Sequence, residues 1–194
     1  MRFLLTAVLC LCWIHVANAR DVLDFQTYGS GDGTIYIFTS PSCSHCREFH
    51  KTVFPDILKR FANNHKAQVV IVDMPTNVNA LEATMLMRCL PEDKALKMMG
   101  WIYENQSRWM PQKDATNIFL NYVRALGMSN KEIDACLSNK TLQRTIIEQR
   151  QKMATLYNVT GTPTTVVRKG NAVQYYPGTD RKSILDGLER DLQQ

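Results

Sequence analysis

The feature that most constrains this chain is the run Cys43-Ser44-His45-Cys46, which stands where a buried strand gives way to a helix. Ile35-Tyr36-Ile37-Phe38 reads as the strand, and Pro41-Ser42 stops it. From Cys43 onward, Phe49, Val53, Phe54, Ile57, Leu58 and Phe61 recur at helical spacing along one apolar face. Pro55 falls inside this helix and is expected to kink it. A cysteine at a helix start meets unpaired backbone N–H groups and the positive end of the helix dipole, and both favour the thiolate. Cys43 is therefore the expected nucleophile. His45 adds a donor or a positive charge beside its sulfur. Cys46, one turn into the helix, is expected to be more buried and less acidic, which suits it to resolve a mixed disulfide. A static disulfide, or half of a zinc site, are the other readings of such a pair. Zinc needs two further ligands, and the only nearby candidate is His50, read here as a helix-surface residue; His65 reads as a loop residue.

The N-terminus sets the compartment. Arg2 supplies a positive start, Phe3 to Val16 an apolar stretch, and Ala17-Asn18-Ala19 the small-x-small pattern of a cleavable export signal. Trp13 and His15 interrupt a stretch already shorter than the ~20 residues a membrane span needs. Cleavage after Ala19 discards Cys10 and Cys12 and leaves four cysteines, at 43, 46, 89 and 136, where disulfides can form and persist. Neighbours three apart bridge easily, so 43 with 46 and 89 with 136 is the preferred pairing among three possible ones. Bridging Cys89 to Cys136 closes a loop of nearly fifty residues and is read as a structural staple worth about 4 kcal/mol. Two buried free thiols, or a second redox pair, are the alternatives.

Elsewhere the chain alternates between strand and helix signals. Val22 to Tyr28 reads as a first strand that ends in the turn Gly29-Ser30-Gly31-Asp32-Gly33. Val69-Val70-Ile71-Val72 reads as a central buried strand closed by Met74-Pro75. From Ala80 to Tyr157 strand signals vanish and helical patterns follow one another, with Pro91, Pro111, Gly127 and Asn139 as punctuation. Ser129 and Glu132 form a capping box ahead of Ile133 and Cys136. Strand character returns at Thr164 to Val167 and at Ala172 to Tyr176, around a Lys169-Gly170-Asn171 turn, and an amphipathic helix over Asp180 to Leu192 ends the chain.

This order resembles the thioredoxin fold interrupted by a helical insertion, and more narrowly the DsbA-type thiol oxidoreductases of the bacterial periplasm. The resemblance rests on Phe38-Thr39-Ser40-Pro41-Ser42-Cys43-Ser44-His45-Cys46, on Val159-Thr160-Gly161-Thr162-Pro163-Thr164, and on the helical block between them. It implies an α/β fold divided into an export signal over 1–19, a thioredoxin-fold domain over 20–79 and 158–194, and an inserted helical domain over 80–157. It implies that the Thr162-Pro163 bond is cis, and that its loop lies against Cys43 and pairs with an extended substrate. It further implies a monomer without cofactor, acting on unfolded or reduced exported proteins and recycled by a membrane redox partner. Many such relatives carry a buried acid on the strand beneath the cysteines; the position six before Cys43 is here Ile37, so Cys46 must exchange its proton with water or another group. Ser44-His45 departs from the Pro-His of the best-known oxidase, which leaves oxidation and isomerisation or reduction both open.

The remaining features weigh on other classes of function. A net charge of +5 without a basic run or an aromatic-interleaved basic stripe offers nucleic acid little to hold. Met85, Met87, Met98 and Met99 are the basis of a rival reading, a copper- or other metal-handling protein using the same thiols; methionines at such spacing also read as adaptable core. Trp101, Tyr103, Trp109 and Met110 read as packing within the insertion, with part of that apolar surface free to flank Cys43 and receive unfolded chains. A holdase without chemistry is the third class. Asn105, Asn139 and Asn158 all start glycosylation sequons, and a glycan on Asn158 would crowd the substrate loop, which favours a bacterial periplasm.

Overall fold

The computed structural model describes residues 24–193; the export signal assigned to 1–19 and the first residues of the expected first strand lie outside them. Five strands form one mixed sheet in the order β1-β3-β2-β4-β5. They are β1 (Gln26–Tyr28), β2 (Gly33–Thr39), β3 (Ala67–Asp73), β4 (Thr164–Lys169) and β5 (Ala172–Pro177). β2 runs parallel to β3, and the other three pairings are antiparallel. Both faces of this sheet are covered, which is why Val69 to Val72 is an unbroken apolar run rather than an alternating one.

Alternation along β2 divides its side chains between two packed layers. Ile35 and Ile37 join the core beneath α1 (Ser44–Thr52) and α9 (Arg181–Gln193), with Phe49, Ile184 and Leu188. Phe38 faces the opposite layer with Val166, Met153 and Tyr157, the last two contributed by the C-terminal end of α8 (Lys140–Leu156) and the residue that caps it. The expected kinked helix is in fact broken. α1 ends at Thr52, a short α2 (Phe54–Ile57) starts again with Pro55 in its first turn, and a single π turn (Leu58–Ala62) follows. Proline fits a first turn because the missing N–H has no partner there in any case.

Six helices separate β3 from β4. They are α3 (Val78–Cys89), α4 (Glu92–Glu104), α5 (Gln106–Trp109), α6 (Thr116–Ala125), α7 (Asn130–Leu137) and α8. Local chemistry sets their ends. The Asn77 and Asn139 side chains cap α3 and α8, and Ser129 and Glu132 cap α7 reciprocally. Gly127, at φ +93°, terminates α6: Met128 N–H reaches Val123 O and Gly127 N–H reaches Arg124 O. Met85, Met87, Met98 and Met99, four of the seven methionines of the block, are buried, with Trp109 and Tyr103.

The block does not possess a core of its own. Leu86, Trp109, Phe119, Leu142 and Ile146 belong to the same continuous cluster as Ile37 and Ile71 of the sheet. A buried ion pair joins them further: Arg88 of α3 donates to Asp73 of β3 at 2.7 Å and to Gln149 of α8 at 2.7 Å. Cys89, the next residue, is bonded to Cys136. Among the described residues, no helix is long and apolar enough to cross a membrane.

Candidate active site

Cys43 and Cys46 stand where β2 ends and α1 begins. Cys43 is the N-cap of α1, with extended backbone, and its Sγ accepts the N–H of Cys46 at 3.3 Å. The sulfur thus takes the place that a serine or aspartate oxygen holds at most helix starts. The two residues are free thiols here, not the bridged pair of the preferred pairing; Cys43 is half-buried and Cys46 fully buried.

Their surroundings make them unequal. The hydrogen bond from the Cys46 thiol is the strongest influence on Cys43 and favours its thiolate. The Thr162 side chain and the backbone N–H groups of Cys46 and His45 add to it against a cost of burial, and the pKa falls to about 5. The same hydrogen bond, seen from the other side, disfavours ionisation of Cys46. With burial it holds that thiol well above the ordinary range, although the Thr39 hydroxyl and the Ser40 N–H, 3.5 Å from Sγ, act in the opposite sense. His45 contributes through its main-chain amide, whereas the sequence pointed to its ring; the residue lines the cleft beside the cysteines.

The Thr162-Pro163 peptide bond is cis, and the Thr162 carbonyl accepts a hydrogen bond from Cys43 Sγ at 3.3 Å. Gly178 N–H donates to Pro163 O at 2.9 Å and fixes the loop against the end of β5. The loop forms one wall of an open cleft of about 710 Å³, together with His45, Tyr157, Asn158 and Tyr175. Tyr157 is anchored by rings from β2, Tyr36 at 4.9 Å and Phe38 at 6.1 Å.

Two further contributions come from Gln106 and His50, neither of which the sequence pattern ties to the cysteines. Gln106 of α5 is buried, and its side-chain amide donates to Pro41 O at 2.7 Å and to Cys43 O at 2.9 Å. The helical block thereby holds the turn that presents the nucleophile. Its only visible sign in the sequence was membership of a glycosylation sequon, which points outward rather than inward.

The second is His50, which the helical spacing placed on the helix surface. It is buried against Tyr103, stacked at 4.1 Å, with Phe54 at 4.6 Å, and its Nε2 lies 3.3 Å from Thr39 Oγ1. The reason is α4: its Tyr103 covers a face of α1 that would otherwise meet water. His65 does lie in a turn, where Nδ1 meets Ser30 Oγ at 2.8 Å. Among the described residues no group of three or more His, Cys, Asp or Glu side chains is disposed to hold a metal ion, so the metal-handling reading finds no support.

Comparison with known proteins places this arrangement. By fold, the chain superposes on Wolbachia pipientis α-DsbA1 with a TM-score of 0.77 at 17% identity, over 88% of this chain and 92% of that one. It also superposes on Chlamydia trachomatis DsbA with a TM-score of 0.68 at 22% identity, over 87% and 91%. By sequence, it is 26% identical over 154 residues to a Rickettsia typhi protein named as a protein-disulfide oxidoreductase, covering 79% of this chain and 54% of that protein. A Rickettsia prowazekii protein of the same name is 25% identical over 78% and 56%. The chain thus spans about half the length of the curated relatives it matches. A thioredoxin family profile matches residues 29–177, more than half of the chain and inclusive of both the Cys43-Cys46 turn and the Thr162-Pro163 loop. The chain belongs to the thioredoxin family, built on a DsbA-type fold.

Proposed function

We propose that this protein is a thiol–disulfide oxidoreductase that forms or rearranges disulfides in exported proteins, with Cys43 as nucleophile and Cys46 as resolving thiol. The observation that carries the reading is the inequality of the two thiols. Cys43 is accessible, caps a helix and is biased toward thiolate, while Cys46 is buried and biased toward thiol. In that state Cys43 attacks the sulfur of an outside disulfide, and Cys46 then closes on the mixed disulfide to release it; in the oxidised form Cys43 is instead the sulfur that an outside thiolate attacks. The names of the Rickettsia proteins and the DsbA-type fold support the same chemistry.

His45 serves Cys43 through its amide and forms a rim of the cleft. Thr162 and Pro163 offer backbone to an extended peptide that lies along the cleft toward Tyr157 and Tyr175, the mode in which strand-like segments add to an exposed edge. The Cys89–Cys136 bond acts as a structural staple, and residues 80–157 act as a helical insertion, sharing the core of the sheet, that shapes the site through Gln106. The export pattern at 1–19 and the Cys89–Cys136 bond support work in the periplasm, where the protein acts, on this reading, as a monomer without cofactor on reduced or unfolded exported proteins, with a membrane protein restoring its redox state.

The test is exchange itself. Oxidised parent protein mixed with a dithiol peptide is expected to yield oxidised peptide, reduced Cys46→Ser mixed with a disulfide-bonded peptide is expected to trap the mixed disulfide on Cys43, and Cys43→Ser is expected to do neither. A parent rate in Cys43→Ser refutes the assignment. The equilibrium with a glutathione buffer then gives the direction: a strongly reducing potential excludes the oxidase role.

A further inference from the structure

Thiol–disulfide exchange at a buried cysteine needs a proton. When a thiolate attacks Sγ of Cys43 in the disulfide form, the S–S bond breaks and its electron pair leaves on Cys46, deep in the protein; when Cys46 attacks in turn, its proton must first go. Ile37 removes the expected acid from the strand beneath. Two residues further along the same face of β2, however, Thr39 occupies a buried position next to Cys46.

Thr39 is the centre of a polar chain. Its Oγ1 lies 2.7 Å from Tyr103 OH and 3.3 Å from His50 Nε2. Both rings in turn line a second cavity of about 550 Å³ between α1 and α4, ringed by Arg47, Glu48 and Lys51 of α1 and by Glu104 of α4. The buried end of this chain meets a thiol and the outer end meets charged, water-accessible surface. An imidazole suits the middle because its neutral form donates at one nitrogen and accepts at the other.

We propose that Thr39 and His50 form the proton route that serves Cys46, with Tyr103 holding both in place and the α1–α4 cavity as its mouth. The inference rests on the exchange activity proposed above. As Cys46 leaves, Thr39 gives it the hydroxyl proton, takes the Nε2 proton of His50, and His50 takes a proton at Nδ1 from cavity water. The hydroxide so formed is neutralised by the proton that the attacking thiol released on ionising, so the net transfer is from incoming thiol to Cys46. The reverse sequence ionises Cys46 for attack on a mixed disulfide. A hydroxyl oxygen supports this geometry in full, accepting from both Tyr103 and His50 while donating to sulfur. Burial lowers the His50 pKa to about 3 and raises that of Tyr103 well above its ordinary value, so both are neutral at the pH where exchange runs.

His50 and Thr39 do not touch the reacting outside sulfur, and the test therefore separates relay from scaffold. Single-turnover reduction of the oxidised protein by dithiothreitol, followed by acid quench and thiol alkylation, is expected to slow about 10²-fold in His50→Ala. Added imidazole, admitted by the cavity, is expected to restore most of that rate, and the pH dependence of Cys43 alkylation is expected to stay at the parent value. Thr39→Val is expected to slow the same step, and Thr39→Ser to recover most of the loss. Parent rates in His50→Phe, which preserves the stack on Tyr103, overturn the relay. So does a loss in His50→Ala that imidazole leaves unchanged, or equal rates in Thr39→Val and Thr39→Ser; should His50→Ala not fold, the Thr39 pair and His50→Phe decide. Failure of the parent protein to exchange with dithiothreitol refutes the oxidoreductase reading instead, and is read from the parent alone.

Discussion

The two cysteine pairs of this protein belong to the same continuous core, yet one is bonded and the other is not. Cys89 and Cys136 join α3 to α7, each near the C-terminal end of its helix, where no free N–H groups favour a thiolate. Cys43 caps α1 and Cys46 follows it by one turn, so the same element treats the two sulfurs differently. Local backbone position thus separates a staple from a reactive pair, and spacing in the sequence alone would have made the close pair the better candidate for a permanent bond.

The sharpest way to break this comparison is to exchange the fates of the pairs. Cys43→Ser is expected to take peptide oxidation to background while leaving the thermal midpoint within a few degrees. The double variant Cys89→Ala with Cys136→Ala is expected to do the reverse. It removes the constraint on a 47-residue separation, about 4 kcal/mol on the chain-entropy account, which for a protein of this size lowers the midpoint by roughly 10 °C, with the exchange rate at 25 °C held near the parent value. Loss of exchange in the folded double variant would mean that the second pair also carries electrons.

A smaller effect tests whether the helical block supports the reactive pair directly. Gln106→Leu deprives the Pro41 and Cys43 carbonyls of their buried donor and is expected to cost about 2 kcal/mol in denaturant unfolding. It should also slow Cys43 alkylation severalfold; an unchanged rate would confine Gln106 to folding.

Proton binding offers a last test. The Cys43 pKa is lowered from the ordinary 9.0 to about 5. The folded, reduced protein therefore releases a proton that the unfolded chain retains between those values. Its stability is expected to rise with pH across that window, and to be lost as pH falls through about 5. The bonded pair does not titrate, and the oxidised protein should lack this dependence. The alkylation rate of Cys43 is expected to be flat above neutrality with a midpoint near pH 5; a midpoint near 9 would remove the inequality on which the functional reading stands.

Much of the fold was legible because its signals are local. The apolar runs of β2 and β3, the helix start at Cys43, and the capping box at Ser129 and Glu132 all depend on residues within a few positions of one another. Pro55 shows the limit: a proline within a helical pattern reads as a kink, whereas the chain used it to open a new helix. His50 shows it more plainly. Its place on α1 is set by helical period, but its burial is set by Tyr103, 53 residues later by sequence number, and no periodicity within α1 reports that.

By itself the sequence determined which residues stand at the strand-to-helix junction, which cysteines are three apart, and where along the chain the strands of the sheet fall. Those properties follow from backbone hydrogen bonding and side-chain period. Only the tertiary structure decided how acidic each thiol is and what serves it. The Thr162 side chain, 119 residues away, lowers the Cys43 pKa, Gln106 grips the turn from 63 residues away, and Thr39, His50 and Tyr103 meet near Cys46 from three separate elements. A thiol's proton affinity depends on the groups that surround it and on its distance from water, and those are fixed only when distant parts of the chain pack together.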